Sequence, residues 1–343
     1  MKKKARLFFI KHLSIIGIIL FAAFIRFFNF PHNYGFDGDA TRDAIIALEG
    51  ATHPYFPLAG AFSSTGPFTF GPWYYASLIA TDILFRTTFS PWILMTVMSL
   101  VTVVVMYDIG RVLKSKKLGY LLSGLAALAP SEFIASNALS NLTPVPVFAA
   151  LTLWSSIRII QSSKPSFWWF LALGVFLGLG INAHYQMAGL LLLPLLVWFF
   201  SSSRNLKTAI SLLVGLSITF VPLFIFNLTH NWHTVRGVLE MYASRDRIYV
   251  ANSWKLYLGQ FWPSLIQFIF GTPFLLSAIL LLLVPLTLVW DMVRKTIPKG
   301  IAVPAIVLFA NLVQLRFYWG ERSFPYHFYL VPLILLLVGY MLY

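Results

Sequence analysis

The stretch GFDGDATRDA, residues 35–44, gathers Asp37, Asp39 and Asp43 around Arg42. Carboxylates at this density suit the removal of a proton from an attacking hydroxyl, and an adjacent arginine suits an anion. A helix over 39–50 would set Asp39 and Asp43 on one face at i, i+4, with Asp39 near the N-cap. Ala44, Ile45 and Leu48 form its apolar side and Gly50 closes it. A surface helix with a capping aspartate and an Arg42 ion pair accounts for the same residues without any chemistry. Location argues for more, because ionisable groups beside a bilayer are costly and tend to mark function.

The bilayer follows from composition. Of 343 residues 59% are hydrophobic and 10% charged, with a mean hydropathy of +0.79, whereas soluble domains carry roughly 25% charged residues. Apolar runs near 12–29, 92–112, 118–134, 143–160, 167–182, 186–200, 208–228, 272–292, 301–317 and 326–343 predict an all-α polytopic protein of about ten spans, some of them short. The absence of cysteine excludes disulfides, Cys-ligated zinc and thiol chemistry. No phosphate-binding glycine loop or metal-ligand spacing appears. The basic start, Met1-Lys2-Lys3-Lys4-Ala5-Arg6, opens a first span read as retained, since no small-residue cleavage site follows.

The net charge of +14 would suggest nucleic acid in a soluble protein. Here its distribution fits the positive-inside rule. With the N-terminus cytoplasmic, Lys114, Lys116, Lys117, Lys164, Arg204, Lys207, Arg294, Lys295 and Lys299 fall inside, and nine of the eleven acids fall outside. Counting PWYYASLIATDILF, residues 72–85, as a span would invert every later loop, so it is read as an interfacial or re-entrant helix. One transmembrane domain, 1–343, then carries two outer loops, 30–91 and 229–271. Any chemistry faces outward from a plasma membrane, bacterial or archaeal.

Several features in order resemble a known family. Span 1 ends in Arg26, Phe27 and Phe28; an acidic motif follows with an arginine three residues on. Next come Pro72-Trp73-Tyr74-Tyr75 and the basic turn GRVLKSKKLGYLLSGLAALAP. Over roughly residues 10–200 the chain is similar to polyprenyl-phosphate-sugar-dependent glycosyltransferases of the GT-C fold, chiefly bacterial relatives of protein O-mannosyltransferases and aminoarabinose transferases. The resemblance implies a lipid-linked sugar donor, a glycan, lipid or protein acceptor, and contact with membrane lipids, but no nucleic acid. The family loop reads Asp-Glu-x-Arg with the Asp as base. Aligned through Arg42, Asp39 takes that place and Ala40 replaces the Glu, leaving Asp37 as partner or as the base itself. Phe70 and Gly71 stand where a basic residue often helps hold the lipid phosphate. Family members are commonly longer, so a truncated or minimal version is one expectation for a chain ending at Tyr343.

Such a transfer needs one carboxylate to deprotonate the acceptor and cations for the departing phosphate, and no paired acid. Candidate phosphate ligands are Arg42, Arg26 (or a snorkelling arginine), His184 (or a helix cap) in the loop NAHYQ, and Arg245 and Arg247 (or headgroup contacts). Arg316 and His327, before the last span, complete that set. Trp73, Tyr74 and Tyr75 are candidates for sugar or acceptor contact, or members of an interfacial aromatic belt. No cofactor is expected and no convincing metal ligands stand out, which leaves a divalent metal undecided. The sequons at Asn141 and Asn227 are read as chance matches. A transporter or flippase for a lipid-linked saccharide is the competing reading, although no internal repeat is evident; a non-catalytic assembly subunit is a third.

Overall fold

The computed structural model describes residues 2–244, 253–318 and 322–343. Helix α1 (Lys2–Phe27) leads through the short α2 (Phe30–Asn33) to α3 (Gly38–Thr52) and α4 (Trp73–Phe85). A run of longer helices follows: α5 (Ser90–Leu113), α6 (Lys116–Leu128), α7 (Pro130–Asn137), α8 (Val145–Gln161) and α9 (Phe167–Ala183). A 3-10 turn, Tyr185–Leu190, feeds α10 (Leu192–Phe200), and α11 (Leu206–Ile218) precedes α12 (Val221–Thr229) and α13 (His233–Ser244). The rest comprises α14 (Trp254–Leu256), α15 (Trp262–Phe270), α16 (Phe274–Val293), α17 (Lys299–Arg316), a 3-10 turn Phe324–Leu330 and α18 (Val331–Leu342).

Among the described residues, ten apolar helical stretches match the ten sequence runs. Four have the length and hydropathy to cross a membrane, two bent pairs qualify when joined, and four are shorter. The pairs bend by 54° at α6–α7 and 51° at α11–α12, each beside a proline in the first turn of the second helix, where the ring removes a donor and disfavours helix before it.

The stretches run between two ends. At one, Asp108 accepts from Arg111 and Trp154 at 2.8 Å and pairs with Arg158, while Asp291 accepts from Tyr340 at 2.7 Å. At the other, Gly71 N–H donates to Asn182 O at 2.8 Å, Tyr185 to Thr69 O and Trp73 Nε1 to Thr219 O, both at 2.6 Å. Helix α4 has 13 residues, short of the roughly 17–25 of a span, and packs on α3, α5 and α9. Its length is that of a helix that does not cross the bilayer by itself.

Arg26 is where the structure departs most from expectation. It is fully buried, not turned to headgroups or a phosphate. Its Nη1 donates to Ala127 O at 3.0 Å and Ala22 O at 3.2 Å, Nη2 to Ala126 O at 3.3 Å and Nε to Ser99 Oγ at 3.1 Å. Pro130 has no N–H for Ala126 O, so the α6–α7 break strands carbonyls that the Arg26 fork satisfies. Glu132, in the first turn of α7 and accepting from Ser99 at 3.1 Å, supplies the nearby countercharge. The sequon asparagines are also buried and engaged: Asn141 donates to Ala183 O, and Asn227 accepts from Thr234 N.

Candidate active site

Helix α3 begins at Gly38, and its N-cap is Asp37, not Asp39: Asp37 Oδ1 accepts from Ala40 N at 2.8 Å. Gly50 lies inside the helix and does not close it. A Cβ there would stand 2.5 Å from Ile79 of α4, so this glycine serves close helix packing. The helix is also turned over relative to its apolar pattern. Ile45 and Leu48 are 58% and 60% exposed, while Asp43 is fully buried against α4.

Asp43 is the hub. Tyr74 donates to its Oδ2 at 2.9 Å and Tyr75 to its Oδ1 at 3.0 Å. Arg42 Nε and Nη2 both reach Oδ1 at 2.8 Å, and Arg42 Nη1 reaches Asp39 Oδ1 at 2.8 Å. Burial pushes the Asp43 carboxyl up, against the pull of Arg42 and the two phenols. Burial, then the carboxylate, pushes both phenols up, so they remain protonated donors. Tyr74 and Tyr75 are buried struts between α4 and α3, with hydroxyls committed inward and not presented to a sugar. Trp73 is half-buried and tied to Thr219. Of the three aspartates, Asp39 combines exposure, at 59% of its side chain, with a fixed arginine partner.

A second cluster adjoins the first through the chain itself. Phe70, four residues before Tyr74, stacks on His184 at 4.8 Å between centroids, and Tyr326 stacks on His184 at 5.3 Å. His184 Nδ1 accepts from Gln186 N at 3.4 Å, which assigns the proton of the neutral ring to Nε2. Burial, then neighbouring His327, lowers the His184 pKa to about 3. His184 therefore offers a neutral N–H donor and caps the 3-10 turn as well.

His327 is buried; Nδ1 donates to Ser323 O at 3.0 Å, and among the described residues Nε2 has no partner. Arg316 is 6% exposed and lies over Trp254 at 5.1 Å. Arg322 donates to Arg316 O and Tyr318 O. Arg245 and Arg247 lie outside the described residues. The acidic loop, α4 and His184 thus form one continuous assembly, whereas Arg26 stands apart from it. Sequence reasoning missed Asp43 as the hub and the aromatic seat of His184. The adjacent tyrosines were the available signal for the first. Among the described residues no three His, Asp or Glu side chains gather as a metal site.

The fold is that of a polytopic membrane protein of the GT-C type. Residues 70–229 match the family model of dolichyl-phosphate-mannose-protein mannosyltransferase, a segment that begins at Phe70 and so excludes Asp39. ArnT from Cupriavidus metallidurans bound to undecaprenyl phosphate is similar over 97% of this chain, with a TM-score of 0.69 and 15% identity. The archaeal oligosaccharyltransferase AglB from Archaeoglobus fulgidus, in complex with an inhibitory peptide and a dolichol-phosphate, is similar over 96%, with a TM-score of 0.58 and 12% identity. The chain spans 60% of that ArnT and 50% of that AglB. No curated protein sequence matches it significantly.

Proposed function

We propose that this chain is an integral-membrane glycosyltransferase that moves a sugar from a polyprenyl-phosphate donor to an acceptor hydroxyl or amine, with inversion, on the outer membrane face. In this reading Asp39 takes the acceptor proton as the acceptor attacks the anomeric carbon. The bond from that carbon to the phosphate oxygen breaks, and the polyprenyl phosphate departs with the electron pair. Arg42, fixed by Asp43, keeps Asp39 in place, while the His184 N–H and the cations Arg316 and Arg322 are assigned to the phosphate side. The cavity of about 370 Å³ lined by Tyr185, Phe220, Leu223, Val235 and Leu239 suits an isoprenoid tail.

The observation that carries this reading is the exposed Asp39 carboxylate, clamped by an arginine whose other partner is buried. The family match and the fold support the donor class, and the loop charges support the orientation. The test is transfer from a labelled polyprenyl-phosphate sugar by purified protein in proteoliposomes. Asp39→Asn is expected to lose about 10²–10⁴-fold in rate, and Asp37→Asn to stay within a few-fold, because asparagine caps as well as aspartate. Full transfer by Asp39→Asn would remove it as the base.

A further inference from the structure

On the side of α3 turned away from Asp43 lies a second cavity, of about 640 Å³, between α3, α4 and the start of α5. Its walls include Ile45, Leu48, Phe89 and Trp92, and two charged residues of α4 and its cap, Asp82 and Arg86, complete it. The apolar walls explain the inverted α3: its exposed Ile45 and Leu48 border this groove. The groove opens beside the first turn of α5, a helix long and apolar enough to cross a membrane, and the ends of such helices meet lipid headgroups.

Asp82 supplies the second observation. It is 7% exposed and borders the cavity. Its backbone carbonyl accepts from Arg86 N, but among the described residues no hydrogen bond or ion pair reaches its carboxylate; the ion pairs of the described residues involve Asp39, Asp43 and Asp108 instead. With no protein donor, the lone pairs of this carboxylate are left to whatever occupies the cavity. Arg86, one turn later, is exposed at the rim.

We propose that this groove binds a zwitterionic aminophospholipid, with its ammonium on Asp82, its phosphate on Arg86 and an acyl chain along Ile45, Leu48, Phe89 and Trp92. The order of charges selects the headgroup. An anionic glycerol headgroup has no cation for Asp82, and a quaternary choline has no N–H to donate. The site is separate from the Asp39 assembly, which lies across α3.

The experiment is native mass spectrometry of the delipidated full chain in detergent, titrated separately with dioleoyl phosphatidylethanolamine, phosphatidylglycerol and phosphatidylcholine. Retention of the ethanolamine lipid is expected to be about tenfold tighter than that of either other lipid, the scale of one charge-assisted hydrogen bond. Asp82→Asn removes that preference. Arg86→Gln, at an exposed position, weakens retention of all three lipids. Equal retention of the three lipids by the wild-type chain overturns the proposal, as does an undiminished ethanolamine preference in folded Asp82→Asn. Because the readout is retention and not sugar transfer, its outcome is independent of the Asp39 test.

Discussion

Arg42 grips one oxygen of Asp43, with Nε and Nη2 both 2.8 Å from Oδ1. The aspartate is fully buried and the arginine side chain is 34% exposed, so the pair joins the interior of the assembly to its surface. Nη1 of the same guanidinium holds Asp39. The position of the proposed base therefore depends on a carboxylate it never touches.

Loosening that anchor should lower stability and transfer together. Tyr74→Phe leaves Asp43 Oδ2 without its donor, at a cost of about 1–3 kcal/mol. Asp43→Ala leaves two buried phenols without an acceptor, each at a cost of about 1–3 kcal/mol, while Arg42, 34% exposed, is not left as a buried unpaired charge. Thermal unfolding in detergent measures both. Transfer by the folded fraction of Asp43→Ala should fall as well, since Arg42 is then free to leave Asp39. An unchanged midpoint in both variants would show that the buried network does not hold α3.

Asp37 separates a cap from a base. Asp37→Ala removes the bond to Ala40 N and should cost about 1 kcal/mol of stability, whereas Asp37→Asn should be near neutral. Both should still transfer sugar. Loss of transfer in Asp37→Asn at unchanged stability would move the base from Asp39 to Asp37.

The spans were legible because a membrane helix announces itself by length and apolar content, and the short α4 was legible because its inclusion would have inverted the charges of every later loop. The rotation of α3 was not. An apolar stripe on a helix in water points to the core, but the Ile45 and Leu48 stripe stays exposed and lines the groove beside α5 instead. Asp43 could then turn inward because Arg42, Tyr74 and Tyr75 satisfy it. Arg26 was misread for a related reason: its true partners are carbonyls freed at Pro130, about a hundred residues further along the chain. The one-residue loop at His184 was visible as a constraint, but the Phe70 and Tyr326 rings that enclose it come from distant segments.

Gly71 fixes how the segment carrying Phe70 meets the bundle. A Cβ at this position would stand 1.8 Å from Asn182 Oδ1, and its own N–H already donates to Asn182 O. Gly71→Ala should therefore cost about 1–3 kcal/mol by overpacking and lift Phe70 from His184. Asn182→Gly removes the whole obstructing side chain, whose Cβ alone would stand 2.5 Å away. The double variant should recover part of the loss, a coupling of about 0.5–3 kcal/mol in a double-mutant cycle of thermal stability. Strictly additive penalties would show that the two residues do not meet in this way.

His184 gives the assembly a defined response to acid. Its pKa is lowered from 6.5 to about 3 by burial, then by His327. Between those values the unfolded chain binds a proton that the folded chain refuses. Its contribution to stability is therefore complete above pH 6.5 and is lost as the pH falls towards 3. His184→Phe keeps a ring between Phe70 and Tyr326 but cannot titrate. Its thermal midpoint should fall less between pH 7 and pH 4.5 than that of the wild type; parallel declines would place the acid sensitivity elsewhere. The same neutrality bears on the donor. If the His184 N–H, not a charge, meets the phosphate, the KM for a polyprenyl-phosphate sugar should show no step near pH 6.5 that His184→Phe abolishes. A step of that kind would mean that the imidazole binds the donor as a cation.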